Sequence, residues 1–581
     1  MIRILKYIVF ILCITVFNLA FSQQQLELKI VVPEIEKPIL NKYKIKNEFT
    51  DSLSRYSELT HLLVDLWNDG YITASVDSFR YDSNIMTSFV KIGNSFSWLN
   101  LKQGNAPSVL LDNISFKEKK YIGKAVSFKE IAKLNKSILT YYENNGYPFA
   151  SVKLDSIDFI NNEIYAVLNI NKNTKIIVDS IVMKGKAKLS KKYLSAYLGI
   201  KSGDLYDESK VSNIPKKIKE LQFIKEIKPL NVIFYKDKAK IILYTDKKKN
   251  SQVDGILGVL PNSETNGKLM LTGEVNLSLV NSFYRGENIE INWRKLKKAT
   301  QDLKMKLVYP YFFNTPLGAD IRFTLFKNDT LYLNVERDLG IRYYFTGNNY
   351  IKIFTENNSS SLLSTDAYKN STVLPPYADI RTNLYGLGYE LKKLDYYLNP
   401  RKGIDIFMSG SMGNRQIKKN IELNEIIYKD IKLKTSQYKF SALGNFYFPL
   451  FSKSTIKIGF NTAFMHNETI FENELFKIGG LKTLRGFDEE SIHASFYTIA
   501  TLEYRYLFEE NSFLFAFWNG AYYDSKTVQK YIHDTPYGFG AGVCFETKAG
   551  IFSLTYALGK QFDNPIYLKS GKIHFGVVSY F

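Results

Sequence analysis

Gly479-Gly480-Leu481-Lys482-Thr483-Leu484-Arg485-Gly486-Phe487 is a glycine-rich stretch carrying one arginine, set between two runs that alternate like strands. By composition alone it is a turn. The sequence on either side gives it meaning. From about Ser251 to the last residue, segments of ten to fifteen residues are separated by turn residues, and none carries a helical stripe. The segments are 251–261, 268–281, 286–299, 300–312, 317–329, 331–346, 349–362, 382–395, 401–417, 436–450, 455–468, 495–509, 512–525, 537–549, 550–560 and 572–581, sixteen in all. An even number is what a closed antiparallel barrel in lipid requires.

Connection lengths test that reading. The long gaps, 363–381, 418–435, 469–494, 526–536 and 561–571, all follow odd-numbered segments, whereas gaps after even ones are tight, as at Asn314-Thr315-Pro316. Long loops at one end and short turns at the other mark a transmembrane barrel, and a soluble sandwich has no reason to show this parity. In Thr501-Leu502-Glu503-Tyr504-Arg505-Tyr506 the polar residues alternate with apolar or aromatic ones, as a lumen face alternates with a lipid face. The 15% aromatic content suits interfacial girdles. Residues 250–581 are therefore expected to form an all-β, 16-stranded antiparallel barrel. Its closing seam would join the first strand, with Gly255 and Gly258, to the last, with Gly576. Glycine weakens a strand interior, so this seam should part at modest cost.

The N-terminal part differs. Arg3 and Lys6 precede an apolar run ending in Ala20-Phe21-Ser22, so residues 1–22 read as a secretory signal. Its removal takes Cys13 away and leaves Cys544 alone, which excludes an intrachain disulfide. Asn68-Asp69-Gly70-Tyr71 recurs as Asn144-Asn145-Gly146-Tyr147, 76 residues later, and a weaker echo without the glycine follows at Phe223. Each landmark ends a helical stripe: Leu59, Leu62, Leu63, Leu66; Ile131, Leu134, Ile138, Tyr141; Val211, Ile214, Ile218, Leu221. Gly70 and Gly146 suit helix C-terminal stops. Alternating segments follow each, giving three α+β units, 23–99, 100–175 and 176–249. Their element order and their landmarks, Gly70-Tyr71 and Gly146-Tyr147, resemble POTRA modules. That resemblance implies periplasmic units that take up extended chains by strand addition.

The formal charge is +20, yet the lysines are scattered rather than gathered on one element, so nucleic acid is not an expected partner. No nucleophile elbow, phosphate loop or His-Glu-x-x-His occurs, the five histidines stand singly, and no cofactor or metal site is expected. The pairs Glu489-Glu490 and Glu509-Glu510 read as solvated loop charge. The chain is not expected to be an enzyme.

In this setting Leu484-Arg485-Gly486-Phe487 resembles the tip of the inward-folded sixth outer loop of the BamA/TamA outer-membrane assembly superfamily, and three modules with sixteen strands look most like TamA. The resemblance implies that Arg485, with Gly486, Phe487, Gly479 and Gly480, locks the loop inside the lumen. Relatives carry an acid on strand thirteen where this chain has Asn519, so Glu503 on strand twelve is expected to supply the charge. His574, Gly576 and the terminal Phe581 resemble the signal by which barrels are recognised for assembly. The implied role is assembly or insertion of outer-membrane proteins, with the modules binding unfolded client chains in the periplasm and the seam delivering them into outer-membrane lipid. Periplasmic or inner-membrane accessory proteins are further possible partners. The alternatives are a two-partner-type secretion pore exporting a soluble protein, and a passive porin.

Overall fold

The computed structural model describes residues 25–261, 269–295, 300–547 and 550–580. The expected signal segment, residues 1–22, and Phe581 lie outside the described residues. The chain forms two compact units. One runs through Val178 and includes Gly203–Val211 and Phe234–Ala239; the other comprises Asp179–Ser202, Ser212–Ile233 and Lys240 onward.

Three small sheets with helices precede the barrel. In the first, Leu26–Val31 lies between Glu48–Phe49 and Ile85–Lys91, with Ser75–Asp82 at the edge. Its helix, Ser52–Asn68, starts where the Asp51 carboxylate accepts from the Ser54 N–H at 2.8 Å, and it buries Leu59, Leu62 and Leu66 on the sheet. The second sheet orders Ser97–Lys102, Glu163–Asn171 and Ser151–Ile160. Ser97–Lys102 thus belongs to the second module, which begins a few residues before 100. Helix Phe128–Glu143 covers this sheet through Leu134, Ile138 and Tyr142. The third orders Ile177–Lys184, Lys238–Lys247 and Ile224–Tyr235. The stripe read there as one helix is two, Glu208–Ser212 and Ile214–Glu220, because Pro215 restarts the second in its first turn.

The repeated landmark is a joint. Gly70 has φ +97° and closes its helix, with the Tyr71 N–H donating to the Leu66 carbonyl at 2.9 Å. The Gly70 carbonyl then accepts from Phe96 N at 2.8 Å, and the Asn68 side chain accepts from Lys129 N at 2.8 Å, at the start of the next module's helix. One repeat later the Gly146 carbonyl accepts from Ile176 N at 2.7 Å and Asn144 accepts from Ser209 N at 2.9 Å. Each asparagine satisfies orphan amides of the module that follows it. The weaker echo at Phe223 keeps a counterpart of this joint without the asparagine and the glycine: the Phe223 carbonyl accepts from Lys248 N at 3.0 Å, in the segment that leads to the barrel.

The barrel strands are, in order, Gln252–Pro261, Leu269–Val280, Asn288–Lys295, Gln301–Tyr309, Leu317–Asn328, Tyr332–Thr346, Asn349–Leu362 and Ile380–Leu394. They continue as Gly403–Ile417, Lys434–Phe451, Ser454–His466, Phe496–Leu507, Phe513–Lys526, Tyr531–Asp534 extended by Tyr537–Thr547, Gly550–Lys560 and Lys572–Tyr580. These sixteen staves close antiparallel on themselves. The parity holds for four of the five expected long connections: 363–379, 418–433, 467–495 and 561–571 gather at one end, and short ones such as 347–348 and 452–453 at the other. The fifth, 526–536, is corrected: Tyr531–Asp534 pairs there with the thirteenth strand and leaves only a short turn at 527–530. Glu503 is 5% exposed while its neighbour Leu502 is 50% exposed, so lumen and lipid faces alternate.

Both ends of the barrel carry further structure. At the long-loop end, Ala378, Leu423, Ile427, Tyr428 and Phe471 from three connections share one apolar core, with Val528 of a fourth packed against it. At the short-turn end, Ser190 N donates to Tyr284 O at 2.7 Å, and the ring of Tyr193 meets that of Tyr311 edge-on at 5.6 Å.

Candidate functional site

The connection 467–495 turns inward. Its stem is a short ladder, Phe476–Ile478 against Ile492–Ala494. Its tip is held by its own backbone: the Thr483 hydroxyl accepts from Gly479 N at 2.9 Å and donates to Gly479 O at 2.8 Å, and Gly480 N donates to Leu484 O at 3.1 Å. Gly479, Gly480 and Gly486 have φ of +114°, +96° and +95°, a region that suits glycine. Leu484 and Phe487 are buried with Ile478, Ile492, Ile499 and Tyr523, so the tip carries its own apolar anchor.

Arg485 is 9% exposed. Its Nη1 donates to Glu503 Oε2 at 2.7 Å and its Nε to Asn519 Oδ1 at 2.9 Å, while the guanidinium lies 3.5 Å from the centre of the Phe517 ring. Asn519 Nδ2 donates in turn to Thr501 Oγ1 at 2.6 Å, which fixes the amide so that its oxygen faces the arginine. Glu503 carries a second load: its Oε1 accepts from Arg505 Nε at 2.8 Å. One carboxylate therefore serves two guanidinium groups in a place shielded from bulk water, and the charge-assisted bonds fix geometry as well as energy. Such a cluster is weak evidence for net stability, but removing one member leaves an uncompensated buried charge.

The wall is shaped for the tip. A β-carbon at Gly538 would lie 2.0 Å from the Arg485 carbonyl oxygen, and one at Gly559 would lie 2.6 Å from the Gly486 carbonyl oxygen. Only glycine on these two neighbouring strands lets the loop backbone come so close.

Further ties spread the loop's hold around the barrel. Arg415, fully buried, forms a two-pronged pair with Glu474 at 3.0 and 2.6 Å. Asn473 donates to Ala378 O at 2.8 Å and its own carbonyl accepts from Asn334 at 2.8 Å. Glu490 accepts from Arg294 at 2.6 Å, and Glu489 accepts from Leu481 N at 2.8 Å. The reading of Glu489-Glu490 as solvated charge is thus corrected: Glu490 pins the loop to the third strand, where Arg294 also meets Asp302 at 3.3 Å. Asp488 pairs with Lys572 of the last strand at 2.7 Å.

The seam glycines lie on the expected strands, but the seam itself is joined elsewhere. Among the described residues the first and last strands face each other only at Gln252 opposite Tyr580 and Val253 opposite Ser579. Gly255 pairs with Val275 of the second strand, and Gly576 with Ser553 of the fifteenth. Gly258 likewise faces only the second strand, at Thr272. His574 lies on the last strand opposite Thr555, and its Nε2 is buried without a hydrogen-bond partner.

Gly538, Gly559, Arg294, Arg415 and Glu474 were not singled out from the sequence. The alternating glycines of Tyr537-Gly538-Phe539-Gly540-Ala541-Gly542 were a usable signal, since such a strand invites close backbone approach. The arginines, single residues in polar lumen-facing patterns, gave none.

Among solved structures, CdiB from Escherichia coli is similar over 91% of this chain and 98% of its own, with a TM-score of 0.53 and 12% identity. CdiB from Acinetobacter baumannii covers 95% and 100%, with a TM-score of 0.52 and 11% identity. BamA from Haemophilus ducreyi lacking POTRA domains 1–3 covers 83% and 100%, with a TM-score of 0.44 and 15% identity. These likenesses concern the fold and do not single out TamA. No curated protein matches the chain. Residues 281–581, more than half of the sequence, match the Omp85 superfamily domain, and the chain belongs to the Omp85 superfamily.

Proposed function

We propose that this protein is an outer-membrane assembly factor that inserts client barrel proteins through its seam. Its barrel fold and family place it in the bacterial outer membrane, in a superfamily concerned at a general level with insertion or secretion. The N-terminal modules then stand in the periplasm and receive unfolded client chains on their sheet edges, where backbone pairing needs little side-chain specificity. Arg485, Gly486 and Phe487 act as the lock that keeps the loop within the lumen during the cycle.

The observation that carries this reading is the seam. A strand edge in lipid leaves amides and carbonyls without water to satisfy them, so an edge that, among the described residues, is paired at one end only is poised to accept a client strand. The capped long-loop end and the inward loop support a lateral route over passage along the lumen. A secretion pore of the two-partner type is the second reading, supported by the overall likeness in fold to two CdiB proteins. It requires the loop and the cap to leave the lumen together.

Depletion followed by quantitative proteomics of the outer membrane and the medium tests the two. Broad loss of barrel proteins is the expected result. Loss of one secreted protein with an unchanged outer membrane would establish the pore instead, and altered solute uptake alone would leave a porin.

A further inference from the structure

The short turn 395–402, between the eighth and ninth strands, is more elaborate than a connection at that end needs to be. The Asp395 carboxylate closes it by accepting from the amides of Tyr396, Arg401 and Lys402 at 2.9, 3.0 and 3.1 Å. So braced, the turn reaches strands well removed from its own. Asn399, 3% exposed, accepts through Oδ1 from Arg505 Nη1 at 2.9 Å and donates through Nδ2 to Glu510 O at 3.0 Å. Tyr396 accepts on its hydroxyl from Asn511 Nδ2 at 3.2 Å. Lys248, in the segment that leads from the third module into the first strand, sits with its ammonium 4.9 Å from the centre of the Tyr396 ring.

From Asn399 the contacts run unbroken to the loop. Arg505 holds Glu503 at 2.8 Å and Glu503 holds Arg485 at 2.7 Å. Arg505 is thus shared between a carboxylate on one side and the Asn399 amide on the other. A guanidinium has a fixed planar fork, so fastening one nitrogen restricts where the others point. Without Asn399, Arg505 would keep only Glu503 and the neighbouring rings of Tyr447 and Phe513, which restrain its plane less than a hydrogen bond at Nη1, and Glu503 would be less firmly held for Arg485.

We propose that the turn 395–402 is an inner latch for the lumen loop, with Asn399 the positioning residue that aligns Arg505 and Glu503 so that Arg485 stays docked. Because Lys248 lies against the same turn, movement of the module-to-barrel segment can loosen the loop at the opposite end of the barrel. The latch rests on the lock role given to Arg485 above.

An arginine-specific protease reads the docking directly. Applied to the full-length protein in detergent, it generates a new N terminus at Gly486 only when Arg485 leaves its site. Loss of a hydrogen bond to a charged group should speed that cut about tenfold in Asn399→Ala. Asn399→Asp, which keeps the acceptor for Arg505, should be cut no faster than the parent. Coupling through Glu503 predicts that Asn399→Ala adds nothing to the rate already seen in Glu503→Gln. Heat-modifiable gel mobility of each variant verifies the folded barrel. A parental cutting rate in folded Asn399→Ala, or multiplied effects in the double variant, would overturn the latch. Because the cut reads loop position and not activity, it stands apart from an assembly assay of an Arg485→Ala variant, in which full activity would remove the lock role alone.

Discussion

The wall around the ninth strand and the wall around the seam are built from the same kind of ladder, used to different extents. Ile380–Leu394 and Gly403–Ile417 pair along their whole length, from Ile380 opposite Ile417 to Leu394 opposite Gly403, and Lys434–Phe451 next to them is 18 residues long. On the other side, the last strand is 9 residues long and meets the first at two positions among the described residues. In lipid, backbone groups have no solvent to fall back on, so the ladder itself decides where a barrel can open. Among the described residues this one concentrates its deficit along one line, and it fastens the lumen loop both to the tall wall, through Arg415, and to the seam, through Lys572.

The largest expected effect is in amide exchange. Amides of Gln252–Pro261 and Lys572–Tyr580 should exchange about a hundredfold or more faster than those of 380–417, because low-energy openings are local to the seam. Equal protection in a hydrogen-exchange measurement would erase the contrast. Next come the ion clusters. Glu503→Ala strands Arg485 and Arg505, and Asp320→Ala strands Arg342 and Lys352 in the wall of the fifth to seventh strands; each should cost about 3–5 kcal/mol in denaturant unfolding. Only Glu503→Ala should also depress client assembly beyond what the loss of folded protein explains. Glycines sharpen the contrast further. Gly538→Ala forces the Arg485 backbone off the wall and should cost about 1–3 kcal/mol, whereas Gly410→Ala on the tall wall, with nothing within 4 Å of the added carbon, should stay within about 0.5 kcal/mol. The smallest effect is Lys572→Ala, at most about 1 kcal/mol, since its pair with Asp488 is largely exposed.

Much of this was legible in the chain. The sixteen strands follow from period-two alternation punctuated by turns, and their orientation from loop parity, because each is imposed by lipid on one side and short turns at one end. The third module's helix broke at Pro215, where the apolar stripe continues but the backbone does not. The contacts of Arg485 with Glu503 and Asn519 were implied by the family resemblance, and the alternation of their strands is consistent with both partners facing the lumen. Arg294, Arg415 and Asn399 could not, since their partners lie up to 196 residues away and depend on how the loop and turns fold across the lumen. Glu490 was misread for the same reason: local sequence shows a carboxylate in a loop, and only the closed barrel brings Arg294 to it.

Extending the observed register along the seam would bring Ile256 opposite Gly576, a pairing absent among the described residues. Cysteines at those two positions, in a Cys544→Ala background, would lock the zipped form when oxidised. Client-barrel assembly should be lost in the oxidised protein and return on reduction, with the barrel folded in both states. Undiminished assembly by fully crosslinked protein would contradict insertion through the seam.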